Sequence, residues 1–170
     1  MTSPAELLAD AFGRIREDVV HAIDGVDAET LARRPEGADG PGNSMAWLIW
    51  HLTRVQDDHV AKAFGIGQVW PQGWSARFGL PFVEADTGYG HTSTEVDAVR
   101  AESALLIGYH EAVSAQTRSC LEDVSPADLE RLMDDTWGAN VSLGERLISV
   151  IGDDMQHIGQ AAYLRGLFGA

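Results

Sequence analysis

The chain has 170 residues, a length typical of one domain and sufficient to bury about 70% of the surface that the unfolded chain exposes. Its 26 Asp and Glu outnumber its 12 Lys and Arg, and the net charge of −14 argues against binding to nucleic acid or to an anionic membrane. The single cysteine, Cys120, excludes an intrachain disulfide, and no signal-peptide pattern or run of about 18 apolar residues is present. We therefore expect one soluble, cytoplasmic domain over residues 1–170, with no membrane span.

The first predicted helix covers about residues 4 to 23, where apolar side chains recur at helical spacing. Ser3 followed by Pro4 is typical of a helix start. A loop rich in Gly and Pro follows at residues 32 to 44. Asn43 or Ser44 then caps a second helix with the sequence MAWLIWHLTRVQDDHVAKAF.

The second half of the chain begins with a long connection rich in Gly and Trp, residues 65 to 92, and long connections of this kind are often functional. A third helix is predicted from about residue 92 to 122, and a short turn or helix at residues 125 to 132. The last helix covers about residues 142 to 168, and Ser142 with Glu145 forms a capping box at its start. A few residues around 131 to 141 have the composition of a weak pairing, but four amphipathic helices of about 20 residues predict an all-α four-helix bundle.

Three polar residues interrupt the apolar pattern of the last helix: Asp153, Asp154 and His157. Burying an unpaired carboxylate costs several kcal/mol or more, so such groups are paired, hydrogen-bonded or bound to a metal. Asp153 and His157 are four residues apart and share one helical face, from which both can reach one ion. Because catalytic zinc sites use about three protein ligands, a third is needed, and His51 in the equally apolar WLIWHLTRV is the natural choice.

These residues also have simpler explanations. A histidine on a helix is more often hydrogen-bonded or partly exposed than bound to metal, and Asp154 is also read as a solvated acid beside the site. In the second helix, Asp57 and Asp58 lie about two turns from His51, too far to share its ion, and are interpreted as a solvated helix end. Arg54 is read as a surface ion pair or as a clamp for a substrate carboxylate.

Two stretches, MAWLIWHLTRVQDDHV and VIGDDMQHIGQAAYLRGL, resemble the DinB-like superfamily, in particular its actinobacterial-type branch. The histidine after an apolar run and the closing His-x-Gly-Gln…Leu-Arg-Gly are its two signatures, in the right order. The resemblance covers nearly the whole chain except residues 65 to 92. It implies a four-helix bundle that binds one divalent metal, and it leaves a homodimer possible.

The resemblance also implies a ligand set and a chemistry. The usual triad is one histidine of the second helix and a His-x-x-x-His pair of the last; His51 and His157 match, whereas Asp153 replaces the remaining histidine. Zinc is the expected metal, with nickel or manganese as alternatives, and Asp154 is a substitute ligand or a supporting base or orienter of the site. Characterised relatives transfer low-molecular-weight thiols such as bacillithiol and mycothiol, or isomerise maleylpyruvate with mycothiol.

The expected function is therefore a metal- and thiol-dependent S-transferase or isomerase acting on a small electrophile. Two alternatives stay open: a non-catalytic metal- or ligand-binding stress-response bundle, which the replacement by Asp153 favours, and a metal-dependent hydrolase. We expect a small-molecule substrate and no nucleic-acid partner.

Overall fold

The computed structural model describes residues 2–38, 40–133 and 140–170. Its helices in chain order are α1 (Pro4–Ile23), α2 (Ala28–Ala32), α3 (Met45–Phe64), α4 (Ser75–Phe78), α5 (Ser93–Ala98), α6 (Ser103–Leu121), α7 (Pro126–Leu129) and α8 (Leu143–Phe168), and a wide turn, Trp70–Trp74, leads into α4. Within the described ranges there is one isolated bridge, Leu132 with Ser142, and no strand. The predicted all-α class is confirmed.

The four long helices, α1, α3, α6 and α8, pack as a bundle in which α1 and α3 each contact both α6 and α8. Each contributes an apolar face, as the helical spacing predicts. The core includes Ile15, Val19 and Ile23 of α1, Leu48, Ile49 and Leu52 of α3, Leu106, Tyr109 and Val113 of α6, and Leu147, Val150 and Leu164 of α8. The largest pairing joins α3 to α8, and this pairing brings the second and last helices together.

Side-chain caps begin the long helices that carry the predicted site. The Ser44 hydroxyl accepts from the Trp47 amide at 3.2 Å, so Ser44 rather than Asn43 is the cap of α3. Ser142 and Glu145 form the predicted capping box of α8, with the Ser142 amide donating to Glu145 at 2.8 Å. The predicted weak pairing near the start of α8 is present as the isolated bridge, and its residues 134–139 lie outside the described ranges.

The predicted continuous helix from residue 92 to 122 is wrong. Thr92 caps α5, which ends at Ala98, and α6 begins at Ser103. Val99 between them has extended backbone angles and is 1% exposed. A β-branched residue is a weak helix former, and its burial in the core stabilises the extended segment more than a further helical turn would.

Residues 80–92 form an irregular segment that returns from α4 to α5, and part of it lies against α3. In the described part of the chain, no helix is both long enough and apolar enough to cross a bilayer.

Candidate metal centre

The bundle brings His51 of α3 together with Asp153 and His157 of α8. One potential ligand atom of each side chain lies within 4.8 Å of those of the other two. Asp153 Oδ1 is 3.7 Å from His157 Nε2, and the two imidazole rings meet edge to face with centroids 4.9 Å apart. The three residues proposed from the sequence therefore form one cluster, which we call the metal-site cluster.

Hydrogen bonds at the far side of both rings determine which nitrogen is available. His51 Nδ1 is 2.6 Å from the carbonyl oxygen of Thr87, and His157 Nδ1 is 2.9 Å from Oε1 of Gln160. Since these oxygens accept, each Nδ1 carries the proton, and each Nε2 has a free lone pair. Metal-binding histidines are oriented in this way, through a bond from the ring nitrogen that does not touch the metal.

The donor set fits a divalent metal. Ligand atoms at about 2.1 Å from a tetrahedral ion are about 3.4 Å apart, so a small rotation of the most distant side chain brings the cluster to that spacing. Asp153 Oδ2 is buried and has no hydrogen-bond partner in the described part of the chain, as expected for an atom that awaits a ligand. Two imidazoles and one carboxylate leave one coordination position open.

The electrostatics of the cluster favour neutral ligand rings. Burial lowers the pKa of His51; the Thr87 carbonyl raises it, and the neighbouring His157 lowers it. A lowered pKa keeps the ring unprotonated at neutral pH, which is the form that binds metal.

Asp154 lies in the core and not beside the solvent. It is 0% exposed, and neither carboxylate oxygen has a hydrogen-bond partner among the described residues. Burial raises the pKa of Asp154 well above its usual range, and the charge of Asp153 acts in the same direction. The interpretation as a solvated acid is wrong, and its role as a base or orienter, or as a substitute ligand, stays a prediction.

A cavity of about 310 Å³ opens onto the cluster, with His51 and Asp153 in its wall. Its other lining residues are Val55, Asp58, His59, Lys62, Ala85, Thr87, Tyr89, Arg146, Ser149 and Val150. The wall therefore combines two aliphatic side chains with three nitrogen-bearing ones, His59, Lys62 and Arg146, in a strongly acidic protein. Such a mixture suits a small polar molecule.

A second polar cluster lies on α3 one turn beyond His51. Arg54 donates to Asp57 at 3.4 Å, to Gln68 at 3.0 Å and to Tyr109 at 3.2 Å. We call these four residues the arginine cluster. Arg54 is 0% exposed and Asp57 is 1% exposed, so the predicted surface ion pair and solvated helix end are both wrong. Residues of the Trp70–Trp74 turn and of α6 cover this side of α3 and exclude water.

Residues 86–91 contribute contacts that the sequence did not predict. Asp86 Oδ1 accepts from the Gly88 amide at 2.9 Å, and its Oδ2 is 3.1 Å from His91 Nε2. The Trp47 indole donates to His91 Nδ1 at 3.1 Å. No spacing rule links a loop histidine to α3, and the one available signal was the glycine pair in DTGYG, which is typical of positive backbone angles.

The comparisons with known proteins agree with this geometry. Residues 7–169 match the family model described as mycothiol-S-transferase. A crystal structure of a conserved protein from Enterococcus faecalis is similar over 100% of both chains, with 26% sequence identity and a TM-score of 0.87. No curated protein matches the chain. A long apolar α3 with His51, facing an α8 with Asp153 and His157, is thus the form taken here by a DinB-like bundle, and the chain belongs to the mycothiol-S-transferase family.

Proposed function

We propose that the protein is a metal-dependent thiol S-transferase, which joins a low-molecular-weight thiol of the mycothiol type to a small electrophile. The observation that carries the proposal is the metal-site cluster in the wall of a cavity of about 310 Å³. Family membership supports the thiol as the co-substrate.

The ligand set supports zinc first, since two imidazoles and a carboxylate are a known catalytic zinc combination. The carboxylate of Asp153 also suits a harder ion such as manganese, and nickel is a third choice. A bound divalent metal would lower the pKa of a thiol placed beside it, so that thiolate is present at neutral pH.

The residues of the chain bind and orient the reactants. His51, Asp153 and His157 hold the metal with one side open towards the cavity. Lys62 and His59 offer nitrogen atoms to polar or anionic groups, while Val55 and Val150 contact apolar parts.

The reaction is a nucleophilic substitution in which the thiolate sulfur forms a bond to an electrophilic carbon. The leaving group departs with the bonding electron pair, and the thiol proton passes to solvent through the open cavity. Asp154 is unsuited to take this proton, because it is 0% exposed and its raised pKa already keeps it protonated.

Metal content measured by mass spectrometry on tag-free protein is the first test. We expect about one metal ion per chain in the parent, and a loss of metal in His51→Ala and in Asp153→Ala. A parent that binds no zinc, manganese or nickel, even after addition, would contradict the proposal.

The second test is S-transfer by the metal-loaded parent, with mycothiol as the thiol and monochlorobimane as the electrophile. We expect a rate above the background, which a chelator removes and added metal restores. A metal-loaded parent without any rate above background, across several thiols and electrophiles, would support the non-catalytic binding bundle instead.

A further inference from the structure

We infer that residues 86–91 are a positioning segment for the metal ligand His51, in which the Thr87 carbonyl selects the ring tautomer and Gly88 leaves the space that the ring occupies. The inference rests on the metal site of the proposed function. It assigns a role to a loop that supplies no metal ligand itself.

The Thr87 carbonyl determines which nitrogen of His51 faces the metal. The distance of 2.6 Å from this oxygen to His51 Nδ1 is that of a short hydrogen bond. A carbonyl can only accept, so the ring must donate from Nδ1 and present the lone pair of Nε2 to the cluster. Such a partner also makes the ring a stronger ligand.

Gly88 is required because it lies directly against this ring. A Cβ atom at residue 88 would be 2.9 Å from His51 Nδ1, 2.9 Å from the Trp50 ring and 3.3 Å from the Trp47 ring. These three side chains are at most 6% exposed, so none can move into solvent without opening the core. Any side chain at residue 88 must therefore displace His51 or move the Thr87 carbonyl away from it.

A closed set of contacts holds the segment in this position. The Trp47 indole can only donate, so His91 Nδ1 accepts from it, and His91 Nε2–H donates to Asp86. Asp86 in turn accepts from the Gly88 amide at 2.9 Å. Trp47 completes the ring by stacking on His51, with centroids 4.5 Å apart and planes 13° apart.

The arginine cluster anchors the same segment from the other side. Arg54 Nε donates to the Asp86 carbonyl at 3.1 Å, and Arg54 is held by its own buried partners. The segment thus has fixed points at Arg54 and Trp47, both on α3, and it presses the Thr87 carbonyl onto His51 between them.

Gly88→Ala and Gly90→Ala make a matched pair that tests this arrangement. Both glycines have positive φ, +91° and +76°, so alanine strains the backbone at either position. A Cβ atom at Gly90 has nothing within 4 Å, whereas one at Gly88 meets His51. The difference between the two variants therefore isolates the contact with the metal ligand.

Zinc affinity is measured by chelator competition, at a temperature at which circular dichroism shows both variants to be folded. We expect Gly88→Ala to bind zinc roughly 10-fold to 100-fold more weakly than the parent, and Gly90→Ala to bind close to the parent. The absorption spectrum of the Co²⁺ form is expected to shift in Gly88→Ala alone, because the orientation of His51 changes.

His91→Phe is a second variant that leaves Gly88 in place. It keeps an aromatic ring against Phe82 and Trp50, whose centroids are 4.6 Å and 5.7 Å from that of His91, but loses both hydrogen bonds. We expect weaker zinc binding here too, by a smaller factor than in Gly88→Ala, because the Thr87 contact is loosened and not blocked.

The outcomes separate this inference from the proposed function. If the parent binds zinc and Gly88→Ala matches Gly90→Ala in both affinity and Co²⁺ spectrum, the positioning role is overturned while the metal site stands. The same holds if Gly88→Ala lowers the melting temperature without changing zinc affinity. A parent that binds no metal would overturn both together.

Discussion

Two polar clusters lie three residues apart on the same apolar helix, at His51 and at Arg54, and they differ in how far the protein satisfies them. In the arginine cluster, the Asp57 carboxylate accepts from the amides of Val69 and Trp70 and from the Tyr109 hydroxyl, each at 2.8 Å. In the metal-site cluster, Asp153 Oδ2 is buried without a partner in the described part of the chain. Polar residues against an apolar pattern mark a structural network where all their partners are present, and a ligand site where they are not.

The largest effect is expected from Asp57→Asn, which sharpens the structural half of this comparison. The amide keeps the shape of the side chain but removes the charge that balances the buried Arg54 guanidinium. Breaking a buried ion pair by removing one partner costs about 3–5 kcal/mol. Urea denaturation of the metal-free protein measures this loss of unfolding free energy.

Asp58→Asn is the matched control for Asp57→Asn. Asp58 is the next residue along α3, and it pairs at 2.7 Å with Lys62, whose side chain is 58% exposed. Ion pairs with an exposed partner contribute about 0–1 kcal/mol, so a small loss is expected. Equal losses in the two variants would refute the view that the arginine cluster is a buried structural network.

His110 of α6 tests whether an unbonded buried atom alone marks a ligand site. The Thr53 hydroxyl gives its proton to the Ile49 carbonyl at 2.7 Å, so His110 donates from Nδ1 to Thr53. Its Nε2 has no partner among the described residues, and the ring is 1% exposed, out of reach of a solvent-borne ligand. Burial lowers the pKa of His110 from 6.5 to about 4, and the charge of Arg16 lowers it further.

A pKa lowered on folding makes the protein less stable as the pH falls. Between pH 6.5 and about 4 the unfolded state binds the proton that the folded His110 does not, so stability is lost through this window. The loss amounts to about 3 kcal/mol for this pair of values. We expect His110→Phe, which has no such proton, to lose about that much less than the parent between pH 7 and 4 in urea denaturation. Parallel pH profiles for the two proteins would contradict the assignment.

Asp153→Asn addresses the ligand half of the comparison. Because the carboxylate has no structural partner to lose, the metal-free variant is expected to unfold within about 0.5 kcal/mol of the parent. Zinc at about 100 times its dissociation constant stabilises the parent by about 2.7 kcal/mol, and the variant is expected to lose this gain. Thermal unfolding with and without zinc measures both quantities.

Asp18→Asn serves as the control for Asp153→Asn, because it removes the same charge from an exposed position on α1. It is expected to keep the full zinc stabilisation. If Asp153→Asn also kept it, the carboxylate of Asp153 would not be a ligand, and the comparison between the two clusters would fail.

The sequence predicted the four long helices and the three-residue cluster for the same reason. Helical spacing follows from the chain itself, so the apolar faces of α1, α3, α6 and α8 and the shared face of Asp153 and His157 needed no tertiary information. The resemblance then supplied His51 as their partner. The division of residues 92–122 into two helices was missed, because the burial of Val99 depends on the packing of the whole bundle.

The polarity of α3 shows most clearly what sequence and tertiary structure each determine. Sequence by itself determined that His51, Arg54 and Asp57 lie on a mostly apolar helix, because their positions follow from helical periodicity. Only the tertiary structure decided that Arg54 and Asp57 are buried in mutual bonds and that the Thr87 carbonyl orients His51. The partners of these residues come from distant loops and helices, and the direction and burial of a side chain are set by what packs against it.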